Sequence, residues 1–496
     1  MNINKFQMNR RDNSDEEDNN DNGVGLRDVL TTLGIGAAIG GLAYYLGRTF
    51  LASGEEMGSS TSRQQPHLDN DIPDINFDDS EFDTPESRRS LGVSRHSVPG
   101  REINNLNALL DDIYVKFIAL KDDDFELYYN VVCDVFSQYR EAMKDIDVYF
   151  RRYSSIIQFN GSHYDNLKID KPNEFDVIIA IDLPVSRREN PSNPADSDIV
   201  FEPKNPAYIQ LKMGKQFQLL PKQHNFDINK TAYKWIDKSN YLLRSKFTDW
   251  FKGIVCKAHN RLSSIQVNGR WYNIKVKENG PAVTLNIYDN NGFECDVDLI
   301  PAFRFHKKRW PICRGYRAIP SNCTQEWWFA IPKINKKAQQ PTPYDVNRSW
   351  RVVLPLQERD IMHGYNNLKQ TIRFIKKLRD VLKMDKIASY YIKMLFYMEI
   401  SNCEDNTIWN KSPSTLFTIM VKRLHDALRS GSLPYFWHKG YNLFGQIERD
   451  QRIGYANKFA KLIKILEDPS QYMLVAPYLL TREEEYEKKT FCMHFS

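Results

Sequence analysis

An α+β fold, a central mixed sheet followed by a helical C-terminal lobe, is what the sequence predicts for residues 101–496, and three observations carry it. Val177-Ile178-Ile179-Ala180-Ile181 is a β-branched and aliphatic run headed by Pro172 and Asn173, the signature of a buried strand. Pro281–Tyr288 and Phe293–Ile300 are two further strand-like runs joined by Asp289-Asn290-Asn291-Gly292, a strong hairpin signal. From Leu368 onward the apolar residues fall at helical spacing instead, through Leu382, Leu416–Leu428 and Tyr455–Leu466.

The 496 residues divide by composition. Residues 1–100 hold 9 Lys and Arg against 17 Asp and Glu, leaving 59 against 46 in the remainder, so a basic globular part sits behind an acidic tail. That balance agrees with binding nucleotides or nucleic acid, although many enzymes are as basic. The seven cysteines show no C-x-x-C pairing and no metal-finger spacing, which fits free thiols in a reducing compartment.

Taken in order, residues 1–28 are polar and acidic and are expected to be disordered, because Asp15–Asp21 has nothing to bury. Residues 29–47 are 19 uncharged residues between Asp28 and Arg48, just long enough to span a bilayer as a transmembrane helix, with Gly36 and Gly40 spaced for close helix contact. The preceding stretch is too long and acidic for a secretory signal, and Arg48 after the span points to a cytosolic C-terminal side. Residues 48–100, rich in Ser, Asp and Pro without periodicity, read as a disordered linker.

Order begins near Arg101. Leu106, Leu109, Leu110, Ile113 and Phe117 follow one helical stripe, and Val131, Val135, Phe136, Tyr139, Met143 and Ile146 another. Residues 101–350 are assigned to the sheet-bearing core and 351–496 to the helical lobe. Between them, Pro184–Pro206 carries five prolines and reads as an irregular loop, and Trp235, Trp250 and Phe251 are expected in the core. Lys307-Lys308-Arg309 is a compact basic cluster, a candidate nucleic-acid contact set against a solvated loop.

The candidate chemistry lies at the mouth of the first strand. Glu174 and Asp176 share a strand face, with Phe175 turned to the core between them. Two carboxylates there demand a compensating cation, and a divalent metal is the natural one. Just upstream, Gly161-Ser162 offers backbone N–H groups and a hydroxyl to an incoming phosphate. Glu294, Asp296 and Asp298 share parity on the hairpin's second strand, so either Asp296 or Asp298 supplies the third acid that two-metal phosphoryl transfer requires. A Gly-Ser pair or an acid-x-acid pair alone is common in loops and strand ends; their combination is what points to a nucleotidyltransferase.

Gly161-Ser162-His163-Tyr164, Leu167-Lys168-Ile169, Pro172–Val177, Pro281–Leu285, Val297-Asp298-Leu299, Trp350-Arg351 and Ser389-Tyr390-Tyr391-Ile392-Lys393 together resemble cyclic GMP-AMP synthase and the animal cyclic GMP-AMP synthase-like receptors. The resemblance covers about residues 101–490. It implies that Asp298 is the third metal ligand and the base on the attacking ribose hydroxyl, with Asp296 a bystander. By the same resemblance Mg²⁺ or Mn²⁺ is the cofactor and ATP and GTP are the substrates. It places Ser162, Glu174, Asp176, Asp298, Arg351, Lys376, Ser389, Tyr390 and Lys393 on the nucleotides. In that set Arg351 reaches a base or phosphate, Lys376 holds phosphates while most of its basic neighbours stay solvated, and Tyr390 stacks on a base. Without the resemblance, Ser389 and Tyr390 would read as an N-cap and a core residue. The second helical stripe is implied to become a long helix leading directly to the Gly-Ser turn.

The vertebrate enzyme's zinc insertion would follow His363, where His363-Gly364-Tyr365-Asn366-Asn367 runs on without cysteines, so no zinc site is expected. That favours double-stranded RNA over DNA as the activating partner, read through shape and charge. The resulting expectation is a cytosolic cyclic dinucleotide synthase of innate immunity, able to form a homodimer and anchored through residues 29–47 to the outer mitochondrial membrane or an endomembrane. The rival expectation is an inactive membrane-anchored adaptor resembling mitochondrial dynamics proteins that recruit a dynamin-related GTPase, or a developmental scaffold of the male-abnormal type. The intact Glu174-x-Asp176 pair speaks against the adaptor, and the complete triad with Asp298 against the scaffold.

Overall fold

The computed structural model of the chain describes residues 103–493 apart from 121, 161–164, 166, 170, 185–197, 220–225, 312–314 and 336–342. The tail 1–28, the 29–47 span, the 48–100 linker and Ser162 lie outside the described residues. Among those described, no helix is long and apolar enough to cross a membrane.

Helices α1 (Leu106–Ile113) and α2 (Asp122–Ile146) follow the two apolar stripes. Helix α1 is N-capped by the Asn105 side chain on Ala108 N–H, and α2 buries Val131, Val135, Phe136, Tyr139 and Met143. The long helix does not run on to the Gly-Ser turn as the resemblance implied. Asp147 leaves helical geometry and caps a new short helix, α3 (Val148–Tyr153), and the β-branched stretch after it forms strand β1 (Ser154–Asn160).

β1 pairs antiparallel with β2 (Glu174–Ile181), the predicted buried strand. Beyond it come β3 (Ile199–Asn205), β4 (Tyr208–Met213), helix α4 (Arg244–His259), β5 (Ser264–Val267) and β6 (Arg270–Asn279). The hairpin read from Asp289–Gly292 forms as β7 (Ala282–Tyr288) and β8 (Glu294–His306). β9 (Trp327–Ile331) and β10 (Ser349–Val353) complete a mixed sheet ordered β3-β4-β10-β9-β8-β7-β6-β5, with β2 parallel to β8 and β1 beyond it. The 13-residue β8 is its axis: its residues up to Leu299 pair with β7 and those from Asp296 to Ala302 with β2, and its last four residues pair with β9. The divide drawn at 350 and 351 falls inside β10, whose Trp350 and Arg351 stand opposite Ile209 and Tyr208 in the sheet.

Helix α5 (Pro355–Ile361) follows directly, then α6 (Asn366–Val381), α7 (Ser389–Asn402), α8 (Pro413–Ser430) and α9 (Arg449–Leu466). Helix α8 shows the sequence logic of this lobe. Ser412 caps its N-terminus, and Leu416, Phe417, Met420, Val421, Leu424 and Leu428 form one buried stripe. Gly431 ends it at φ +75°, a left-handed conformation that residues with a Cβ adopt at a cost. The hairpin β11 (Pro434–Tyr435) and β12 (His438–Asn442) then returns to the sheet, where the Tyr435 hydroxyl donates to the Val352 carbonyl at 3.1 Å. That bond lays the hairpin beside Arg351.

Candidate active site

Parallel pairing of β2 with β8 places Glu174 opposite Asp296 and Asp176 opposite Asp298. Neighbouring strands are about 4.8 Å apart, so four carboxyl groups crowd one sheet edge. Asp176 and Asp298 are buried, whereas the Glu174 side chain is 44% exposed. Burial, with the charges of Asp298 and Glu174, pushes the Asp176 carboxyl well above its usual range. Burial likewise raises Asp298 to about 7, against the opposing effect of a hydrogen bond from the Thr284 hydroxyl.

The one ammonium in ion-pair contact with this group among the described residues is Lys168, whose Nζ lies 3.3 Å from Glu174 Oε2. Asp296 accepts from Asn286 Nδ2 at 2.7 Å, the same amide that serves Glu294 at 3.0 Å. Among the described residues no three such side chains close on a common point as a metal cage. The donor set nevertheless fits a hard divalent cation. Carboxylate oxygens are the ligands Mg²⁺ and Mn²⁺ take, and Asp176 and Asp298 are buried side by side with their carboxyls raised chiefly by that burial.

Arg351 is buried on β10, its guanidinium caged by the rings of Tyr435 at 4.1 Å, Tyr441 at 4.5 Å and Tyr208 at 5.3 Å. Neither terminal nitrogen has a hydrogen-bond partner. Buried donors in that state are rare.

Lys376, on α6, is buried and donates to the Leu167 carbonyl at 2.6 Å. Burial, with the nearby charges of Arg379 and Lys168, holds its ammonium well below the usual lysine range. Its neighbours Arg373 and Arg379 are buried as well, which corrects the expectation that they stay solvated. Arg373 bonds the Tyr114 hydroxyl, and Arg379 donates to Ser389 Oγ at 2.7 Å and to the Ile387 carbonyl. Ser389 is the first residue of α7, after Ala388 at the cap position. Tyr390 is buried, and its hydroxyl donates to Glu358 Oε1 at 2.8 Å. Lys393 is also buried, with Nζ 2.5 Å from Asp165 Oδ2 and 3.6 Å from Glu358 Oε2. In the Lys307–Arg309 cluster, Arg309 is withdrawn from the surface, stacked 4.3 Å over Phe201 and bonded to the Ile199 carbonyl.

Residues 163–364 match the Mab-21 protein nucleotidyltransferase domain, and 367–461 match the Mab-21 protein HhH/H2TH-like domain. The chain is 31% identical to a cyclic GMP-AMP synthase-like receptor of Aethina tumida, over 77% of this chain and 93% of the relative. A receptor of the same description from Ctenocephalides felis is 30% identical over 77% and 89%, and one from Microplitis demolitor 30% over 79% and 71%. The chain belongs to the cyclic GMP-AMP synthase-like receptor family. The Mab-21 nucleotidyltransferase domain spans every strand from β2 to β10, and so both acid-bearing strands.

Sequence reasoning missed four residues of this receptor's site. Thr284 was not legible: a four-residue Asp289–Gly292 turn would set it opposite Val297, and only because Phe293 also belongs to the loop does it stand opposite Asp298. Lys168, six residues before Glu174, was quoted only as part of a motif. Asp165 and Glu358 carried no local signal, because their partner Lys393 is 228 and 35 residues away. A cavity of 320 Å³ lined by Asp147, Lys246, Asp249 and Trp250 contains none of the predicted site residues.

Proposed function

We propose that the chain is a metal-dependent nucleotidyltransferase that joins ATP and GTP into a cyclic dinucleotide of the cyclic GMP-AMP type, switched on by double-stranded nucleic acid, RNA before DNA. The observation that carries this reading is the register of β2 on β8, which gathers Asp176 and Asp298 with Glu174 at one edge with too little positive charge beside them. Mg²⁺ or Mn²⁺ held by Glu174, Asp176 and Asp298 would supply Lewis-acid activation of the triphosphate and of the attacking ribose hydroxyl. Asp298, with a carboxyl pushed to about 7, is suited to take the hydroxyl proton near neutral pH. Lys376, a buried lysine in ion-pair contact with no carboxylate among the described residues, meets the phosphates, which would favour its charged form. Arg351 offers its unpartnered nitrogens to a base or phosphate, and its planar fork suits either. Tyr390 is buried with its hydroxyl on Glu358, so stacking on a base would require a face of its ring to be uncovered.

The test is to incubate the full chain with ATP, GTP and Mg²⁺ or Mn²⁺, with and without long double-stranded RNA or DNA, and to read products by mass spectrometry. A cyclic dinucleotide made with one nucleic acid and lost in Asp298→Ala supports the reading. No product under any condition overturns it and favours the adaptor, whose membrane association would then be tested through residues 29–47.

A further inference from the structure

Two lysines reach out of the helical lobe to the stretch that leads into β2, and their charge balances are opposite. Lys376 donates to a backbone carbonyl, at Leu167, and the nearest charges are the cations Arg379, Lys168 and Arg373, with Asp380 opposing them. An arriving phosphate would relieve that surplus. Lys393 lies between two buried carboxylates, Asp165 and Glu358, with the Arg359 guanidinium the one further cation acting on it among the leading influences. Glu358 is completed by hydrogen bonds from the Tyr390 hydroxyl at 2.8 Å and Trp437 Nε1 at 3.0 Å. A phosphate brought to Lys393 would meet an ammonium already paired with two carboxylates.

We propose that Lys393 is a positioning residue: through the buried Asp165 carboxylate it fastens the stretch carrying Leu167 and Lys168, and so holds Lys168 at Glu174, without touching the nucleotide. The inference rests on the nucleotidyltransferase reading and deepens it by dividing two lysines that the sequence placed together on the nucleotide. Lys376 is the phosphate contact; Lys393 sets where that contact and Lys168 stand. The buried carboxylates on either side oppose the burial of Lys393 and keep its ammonium charged, as a fastening ion pair requires.

The experiment measures binding of ATP and of AMP, in Mg²⁺, to the full chain and to Asp165→Asn, Lys393→Gln and the double variant, with melting temperatures alongside. Positioning predicts that each single change weakens ATP about ten-fold, with AMP little affected, and that the double variant is no weaker than either single, since both break one coupling. Direct contact predicts the reverse for Asp165→Asn: the freed ammonium keeps or tightens ATP, and that result overturns the proposal. A lowered melting temperature with an unchanged ratio of ATP to AMP affinity also overturns it, because a merely structural pair would behave so. Should Asp165→Asn fail to fold, Asp165→Glu keeps the ion pair but displaces the stretch by a methylene; weakened ATP supports positioning and unchanged ATP refutes it. Wild-type protein that binds no ATP removes the nucleotidyltransferase reading itself, and this inference with it.

Discussion

Two clusters of buried charge meet in this molecule, and they are built on opposite plans. At the β2–β8 edge, Asp176 and Asp298 are buried beside Glu174 and Asp296 with one lysine in contact, and their carboxyls are driven upward. Between α5, α7 and the Asp165 stretch, Glu358, Lys393, Tyr390 and Trp437 satisfy one another. A buried charge left without its partner costs several kcal/mol in folding, so a fold that keeps one does so where a ligand will complete it. On the proposed function the first cluster is the reacting centre and the second its support.

The comparison breaks most sharply at Asp298. Replacing it with Asn removes the proposed base and one ligand while relieving repulsion in a crowded acid group. Product formation is expected to fall by roughly a thousand-fold or more, the size usual when a general base and a metal contact are lost together. The melting temperature of the metal-free variant should equal or exceed that of the wild type. Calorimetry beside the product assay checks both, and a strongly destabilised variant would mean that Asp298 belongs to the fold.

Lys393→Met tests the other cluster from the opposite side. It strands the Asp165 and Glu358 carboxylates in a buried setting, and breaking such a pair costs about 3–5 kcal/mol. Urea unfolding is expected to show that loss directly. If stability is unchanged, the support is not a support, and the contrast between the clusters fails.

The difference between the clusters also explains what the sequence made legible. Glu174, Asp176 and Asp298 could be read because strand parity and one hairpin turn are local facts, and parity alone sets Phe175 inward between the two acids. Choosing Asp298 over Asp296 needed the family resemblance, since both share that parity. Helix α8 announced itself by a capping Ser412 and an apolar stripe. The burial of Arg373 and Arg379 was not legible, because a basic residue on a helix looks solvated until the partner, Tyr114 or the Ile387 carbonyl, is seen in three dimensions. The interruption at Asp147 was written in the sequence as a capping residue but was masked by the continuous apolar pattern across it.

The acid cluster carries a pH signature. Burial pushes the folded Asp298 carboxyl up to about 7 from an ordinary 3.8, so between those values the native state binds a proton that the unfolded chain has released. Stability of the metal-free protein should therefore fall, relative to Asp298→Asn, as pH rises from 3.8 to about 7, and level off above. The difference is on the order of 4 kcal/mol at most for a shift of this size. Saturating Mn²⁺ should flatten the slope by favouring the ionised carboxylate. A difference that is independent of pH would show that Asp298 is ionised throughout and that the cluster is better compensated than its contacts indicate.

The smallest expected effect isolates a single hydrogen bond within that cluster. The Thr284 hydroxyl donates to Asp298 Oδ1 and is the interaction that lowers this carboxyl against the desolvation that raises it. Thr284→Val keeps the shape and removes the donor, so the Asp298 carboxyl climbs further and ionises later. One hydrogen bond to a charged group contributes about 1.5–3 kcal/mol, or about 1 kcal/mol after partial replacement by water. Metal affinity should therefore drop about five-fold at pH 6.5, with the acid limb of the pH–rate profile moved upward. At pH 9, where Asp298 is ionised either way, wild type and variant should converge. Failure to converge would place Thr284 among the groups that shape the site, and the β7–β8 register would then act through packing instead of through the proton on Asp298.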